Sequence, residues 1–164
     1  MILRRLARPL LASIFIYGGI GALKQTEYHA QAAKPLIDKT VGKQQAKLPD
    51  AVPTDAETLV RIDAAVKIVA GSMFAFGKMP RLSAIALIGS LVPTSVAGHP
   101  FWEAKDEGEK QQQLIHFLKN AGLAGGLLIA AADTEGKPSL GWRARRAAKQ
   151  AGKQVEAAKD KLPG

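Results

Sequence analysis

The chain has 164 residues, of which 47% are hydrophobic and 23% charged; it carries a net charge of +9 and no cysteine. That length suits one domain of ordinary size. The missing thiol excludes disulfides, thiolate zinc sites, cysteine-held iron–sulfur clusters and thiol redox chemistry. The mean hydropathy of zero is that of a soluble protein, and the charge points to an anionic partner: nucleic acid, a membrane surface or an acidic protein. The distribution of the residues decides among these.

Residues 9–23 carry no charge and follow Arg4, Arg5 and Arg8. A basic start before an apolar run has the form of a signal peptide, but Gly18, Gly19 and Gly21 lead into Ala22, Leu23 and Lys24 without a small-x-small cleavage site. The segment therefore reads as a retained membrane helix over residues 4–24. An outer loop over residues 25–54 comes next. Its alanine-rich middle, from Tyr28 to Val41, suits either a short surface helix or a solvated loop. Thr54-Asp55-Ala56-Glu57 matches the capping box, with Thr54 as N-cap and Glu57 reaching back, and opens a helix over residues 55–77.

Gly77-Lys78-Met79-Pro80-Arg81 predicts a tight turn, with Pro80 in the first turn of a helix over residues 80–99. Residues 82–102 hold no ionisable side chain except His99, and residues 120–132 are uncharged. The latter run extends back past Lys119 and His116, giving a last helix over residues 112–132. A bilayer core takes about 20 helical residues. The third segment meets that length cleanly, and the others meet it with charges at their ends or facing the interior.

Basic residues set the topology. With the N-terminus inside, Arg4, Arg5, Arg8, Lys78, Arg81 and the tail all lie inside, while the outer loops together are net negative. The expectation is an all-α, four-transmembrane-helix bundle over residues 1–134 with both termini cytoplasmic, followed by a basic tail helix over residues 135–164. In the tail, Arg143, Arg145, Arg146 and Lys149 suit contact with anionic lipid, at about 1 kcal/mol per basic residue. A solvated, partly helical tail fits the same residues. No aromatic stacking set accompanies the charge, so nucleic acid is not an expected partner.

Four motifs in order resemble the DoxX family of small bacterial integral membrane proteins. They are Gly21-Ala22-Leu23-Lys24 at the end of helix one, the basic turn Gly77-Lys78-Met79-Pro80-Arg81-Leu82-Ser83-Ala84, His99-Pro100-Phe101-Trp102 after helix three, and Phe117-Leu118-Lys119-Asn120 with Gly125-Gly126 and then Ser139-Leu140. The chain departs from the family in its long first outer loop, its polar second helix and its basic tail. The resemblance implies a four-helix bundle in the bacterial cytoplasmic (plasma) membrane. It also implies kinship with the small subunits of a thiosulfate:quinone oxidoreductase, and proteins that hold redox enzymes at the membrane. Most members of the family have no established activity.

The candidate intramembrane polar site is Asp63, Lys67, His116, Lys119 and Asn120. Asp63 and Lys67 share a helical face with the acid placed first. A lone charge at mid-span costs about 3 kcal/mol, so the two either fix helix register as an ion pair or form part of a site. Joined by Lys119, Asn120 and His116, they would suit the oxygens of a quinone head group or a sulfur oxyanion. Alternatively, Lys119 snorkels to the headgroups and Asn120 bonds a neighbouring helix. His99, Phe101 and Trp102 read as interface anchors. His99 with His116 offers two metal or haem ligands and no obvious third. Gly18, Gly21, Gly71, Gly122 and Gly126 read as helix-packing positions, within the chain or toward a second copy or another protein.

The favoured reading is an accessory or scaffold subunit without catalytic activity of its own, in a redox or cell-envelope-associated membrane complex, with lipids and other membrane proteins as partners. A quinone-interacting oxidoreductase subunit comes next, and a small transporter last, since no inverted repeat is visible.

Overall fold

In the computed structural model of the chain, the described residues are 2–43, 49, 53–133, 142 and 145–152. They fall in two units, Met1–Ala132 and Asp133–Gly164. The first unit is built from α1 (Ile2–Lys24), α2 (Thr26–Ile37), α3 (Ala56–Ala75), α4 (Pro80–Gly98) and α5 (Glu107–Ala132). No strand occurs among the described residues.

Within the segment taken as an outer loop over residues 25–54, α2 decides for the helical of the two readings of Tyr28 to Val41. Thr26 Oγ1 donates back to the carbonyls of Ala22 and Leu23, at 3.2 and 3.0 Å, so the chain turns from α1 into α2 across Gln25 alone. The helix continues through a π-helical turn, Asp38–Gly42. Ala30 is its buried residue, and α2 lies against α3 and α4.

The start of α3 is corrected. Its N-cap is Asp55, whose carboxylate accepts from the Thr58 backbone N–H at 2.8 Å. Thr54 is not the cap, and Glu57 pairs with Arg61 at 2.9 Å instead of reaching back. Aspartate is a strong cap, and its charge also favours the helix N-terminus. α5 starts at Glu107, not at residue 112 as expected. Asp106 Oδ1 accepts from the Glu109 N–H at 2.8 Å, and Glu109 Oε2 accepts from the Lys105 N–H at 3.0 Å. The Asp106 cap, with Glu109 reaching back to the residue before it, starts the helix within acidic sequence that read as loop.

The α3–α4 connection is tight because it uses two left-handed residues, Gly77 (φ +69°) and Met79 (φ 47°). Glycine takes that conformation freely, whereas Met79 adopts it at some cost. Pro80 then opens α4. The core joins Ala12 and Phe15 of α1, Ala70 and Phe74 of α3, Ala84, Leu87 and Leu91 of α4, and Leu127 of α5. Elsewhere large apolar side chains face outward, among them Leu10, Tyr17, Val69, Ile85 and Ile129, with Ile129 76% exposed. A continuous apolar exterior of this kind suits contact with lipid.

Among the described residues, three helical segments are long and apolar enough to cross a membrane: α1, Pro80–Glu103 (α4 with the 3₁₀ turn Phe101–Glu103) and α5. α3, which carries Arg61, Asp63 and Lys67, is not among them. In the second unit, Trp142 and residues 145–152 are helical and Arg145, Arg146 and Lys149 are exposed. The Arg146 guanidinium lies 5.0 Å from the centre of the Trp142 ring. Arg143, proposed above as a lipid contact, lies outside the described residues.

Candidate functional site: a polar network on an internal cavity

Lys67 is 7% exposed, on the face of α3 that meets α4. A buried ammonium has to be paired. Its Nζ donates to Asp63 Oδ2, one turn back on α3, and to Thr94 Oγ1 of α4 at 2.8 Å. Asp63 Oδ1 accepts from the Ser90 hydroxyl. Thr94 returns its own hydrogen to the Ser90 carbonyl at 2.7 Å, so its oxygen is free to accept from Lys67. The ion pair is thereby bonded into α4 through two hydroxyls spaced one turn apart.

A second link lies one residue further along α4. Ser95 Oγ donates to the Leu91 carbonyl at 2.7 Å and accepts from Asn120 Nδ2 of α5 at 3.0 Å. Asn120 therefore bonds a side chain of the neighbouring helix. Together the two links tie α3, α4 and α5, and no fully buried side-chain nitrogen or oxygen among the described residues lacks a partner.

The network borders a partly open cavity of about 480 Å³ lined by residues of all five helices. That volume lies within the range of small-molecule sites. The polar end holds Asp63, Lys67, Thr94, Lys119 and Asn120, and apolar groups such as Ile14, Phe15, Leu59 and Leu123 line the rest. α2 supplies a wall through His29, Ala33, Leu36 and Thr40.

The structure thus brings Asp63, Lys67, Lys119 and Asn120 to one cavity, and His116 is not among the residues that line it. The ring of His116 stacks on His99, with centroids 4.9 Å apart, and Lys119 Nζ donates to His116 Nδ1 at 3.3 Å. His99 Nδ1 lies 2.9 Å from Gln113 Oε1, which joins the end of α4 to α5. Phe101 and Trp102 form an edge-on cluster with Phe117 of α5, at 5.3 and 6.3 Å. Trp102 remains 52% exposed.

The glycines divide. A Cβ at Gly71 would lie 2.9 Å from Ile16 of α1, and one at Gly126 would meet Leu11 of α1 at 3.6 Å. One at Gly18, Gly21 or Gly122 would meet nothing within 4 Å, so these three are not packing positions inside this chain. The closest approach is at Gly19, where a Cβ would lie 2.8 Å from the Ala64 carbonyl of α3 and 3.1 Å from Cβ of Lys67. Gly19 thus lets α1 pack directly against the helix that carries the ion pair.

Sequence reasoning missed Ser90, Thr94 and Ser95, which the i, i+4 hydroxyl pair in an otherwise apolar span could have signalled. It offered a helix over Tyr28 to Val41 as one of two readings but did not place that helix against the cavity.

The model of the DoxX family matches residues 3–100, from α1 to the end of α4. The chain belongs to the DoxX family. It is a DoxX membrane protein whose α5, with Lys119 and Asn120, lies beyond the matched residues. Neither a curated protein nor a solved structure matches this DoxX chain.

Proposed function

We propose that this DoxX protein is an accessory subunit of a membrane redox complex that holds a quinone-type ligand in its internal cavity. The observation that carries the reading is the composition of the cavity, an apolar chamber ending in Asp63, Lys67, Thr94, Lys119 and Asn120. An isoprenoid tail suits the apolar part, and ring oxygens suit ammonium and amide groups. A scaffold with no ligand has no need of such a chamber. The chain supplies no thiol and no cysteine-held cluster, so electrons would come from a partner protein.

In this reading the protein is a four-span bundle of the bacterial cytoplasmic membrane with both termini inside. α3 is the fourth span. The short turn at Gly77 and Met79 runs it back along the apolar α4, and Asp63 and Lys67 neutralise each other on its inner face. Arg4, Arg5, Arg8, Lys78 and Arg81 mark the inner side. The exposed Gly122 leaves room for a partner helix or a second copy, and Arg145, Arg146 and Lys149 suit anionic lipid.

The test is purification in mild detergent, followed by solvent extraction and quantification of bound quinone. About one quinone per chain is expected from the wild type, and a clear loss from Asn120→Leu. Protein that is folded and free of quinone, and that binds none when it is added back, refutes the reading.

A further inference from the structure

α3 and α4 leave a second opening, which shares no lining residue with the cavity described above. It is an open groove of about 410 Å³, lined by Val66, Val69 and Met73 of α3 and by Leu82, Ser83 and Ala86 of α4. Val69 and Leu82 are both more than half exposed, so the groove faces the outside of the bundle. No charged side chain lines it. Its one hydroxyl, that of Ser83, is spent on the Lys78 carbonyl at 3.2 Å.

One end of the groove is basic. The Lys78 N–H donates to the Met73 carbonyl at 2.8 Å, and the Lys78 carbonyl accepts from Ser83, so Lys78 closes the groove at the α3–α4 turn. Arg81 precedes Leu82 at the same end, with its Nε held by the Ala131 carbonyl at 2.7 Å. Both side chains are exposed. Among the described residues neither has a carboxylate partner, and residues 64–102 contain no aspartate or glutamate. The α3 wall runs from Met73 to Ala65, a rise of about 12 Å at 1.5 Å per residue. One leaflet contributes about 15 Å of hydrocarbon, half the bilayer core.

We propose that this groove binds one anionic phospholipid of the inner leaflet, with its phosphate at Lys78 and Arg81 and one acyl chain between α3 and α4. The site rests on α3 being a membrane span with the turn inside, as read above. The length and the charge select this occupant. A partner helix crossing the membrane would need an apolar track about twice as long, whereas a single acyl chain ends where the groove ends. A phosphate matches the fork of an arginine and the point charge of a lysine, and basic pockets between spans on the cytoplasmic side suit anionic headgroups. With no acid on either wall, the ammonium of a zwitterionic headgroup finds no partner here.

The experiment is native mass spectrometry of the purified full chain in mild detergent, titrated with phosphatidylglycerol and with phosphatidylethanolamine of the same acyl chains. One phosphatidylglycerol is expected to bind about fivefold tighter or more than the phosphatidylethanolamine and than any further lipid. Lys78→Gln should weaken that first lipid about fivefold. Val69→Trp, which fills the groove from an exposed position, should reduce it to the level of the further lipids. Equal affinity for the two lipids, or tight binding that survives either substitution, overturns the site. A wild-type dimer that Val69→Trp dissociates assigns the groove to a second copy and also overturns it. Val69→Cys, in a chain with no other cysteine, should resist a water-soluble maleimide in membrane vesicles. Labelling there overturns the α3 span together with the site; an unlabelled cysteine without lipid preference overturns the site alone.

Discussion

Lys67→Met tests whether the Asp63–Lys67 pair is a structural unit. Methionine keeps most of the volume of lysine and removes the charge. Asp63 would then keep the Ser90 hydroxyl as its bonded partner. Removing one partner of a fully buried ion pair costs about 3–5 kcal/mol, because the other charge is stranded. The Asp63 side chain is 30% exposed, so water partly screens it and the cost falls to about 2–3 kcal/mol. Adding Asp63→Asn removes the stranded charge and keeps an acceptor for Ser90. The double variant should therefore recover to within about 1 kcal/mol of wild type. Equilibrium unfolding of ligand-free protein in mixed micelles, followed by circular dichroism, reads all four corners of the cycle. A single variant as stable as wild type, or a double variant that simply sums the two single losses, would refute the reasoning.

Gly19→Ala should cost about 1–3 kcal/mol in the same assay, because the new methyl meets the Ala64 backbone and α1 must move off α3; Gly18→Ala, with nothing within 4 Å, should be silent, and equal effects would contradict the packing described. The Thr58 N–H holds the Asp55 carboxyl below its ordinary 3.8. The folded chain therefore keeps this charge to lower pH than the unfolded one, and the stabilising effect of the cap is complete above the ordinary value and lost as pH falls through the folded one. The gap in helical content between wild type and Asp55→Ala should be constant at neutral pH and close only in that acid limb; a gap that closes near neutral pH would assign the cap to another group. Arg81 Nε donates to the Ala131 carbonyl at 2.7 Å, joining the first turn of α4 to the last turn of α5. Arg81→Ala should cost about 1 kcal/mol and speed hydrogen exchange in the last turn of α5; unchanged exchange would deny the tie.

The helices were legible where apolar runs meet strong punctuation. Pro80 after Gly77 marks the turn into α4, and the uncharged stretch around Ser90 to Ala97 marks a span. The start of α5 was not legible, because Asp106, Glu107 and Glu109 read as loop charge and only their bonds reveal the cap. α2 was ambiguous for a related reason. Its alanine stripe buries a single residue, so its helicity depends on the helices beneath it more than on its own pattern. Of the site, Asp63 and Lys67 could be paired from their spacing, because a charge inside an apolar helix needs a partner. Their bonds to Ser90 and Thr94 depend on the rotation of α4, and its nearly uniform hydropathy left that rotation undefined. Gly19 could not be separated from Gly18 and Gly21 for the same reason: three small residues in one turn do not say which faces the neighbour.

Pro93 lies inside α4, between Ser90 and Thr94. It has no N–H to return to the carbonyl of Gly89, one turn back. In the same turn Thr94 and Ser95 place extra hydrogen bonds on the Ser90 and Leu91 carbonyls, which loosens the helical ladder and favours bending. The most compliant stretch of α4 therefore lies level with the ion pair and Asn120, and Pro93 itself lines the cavity. Mechanically, α4 is two stiff rods joined at the height of the cavity, one ending at the Arg81 tie and the other at the His99–His116 stack. A change in the hydrogen bonds around Lys67 acts at that joint, and the aromatic end of the helix is the lever it moves.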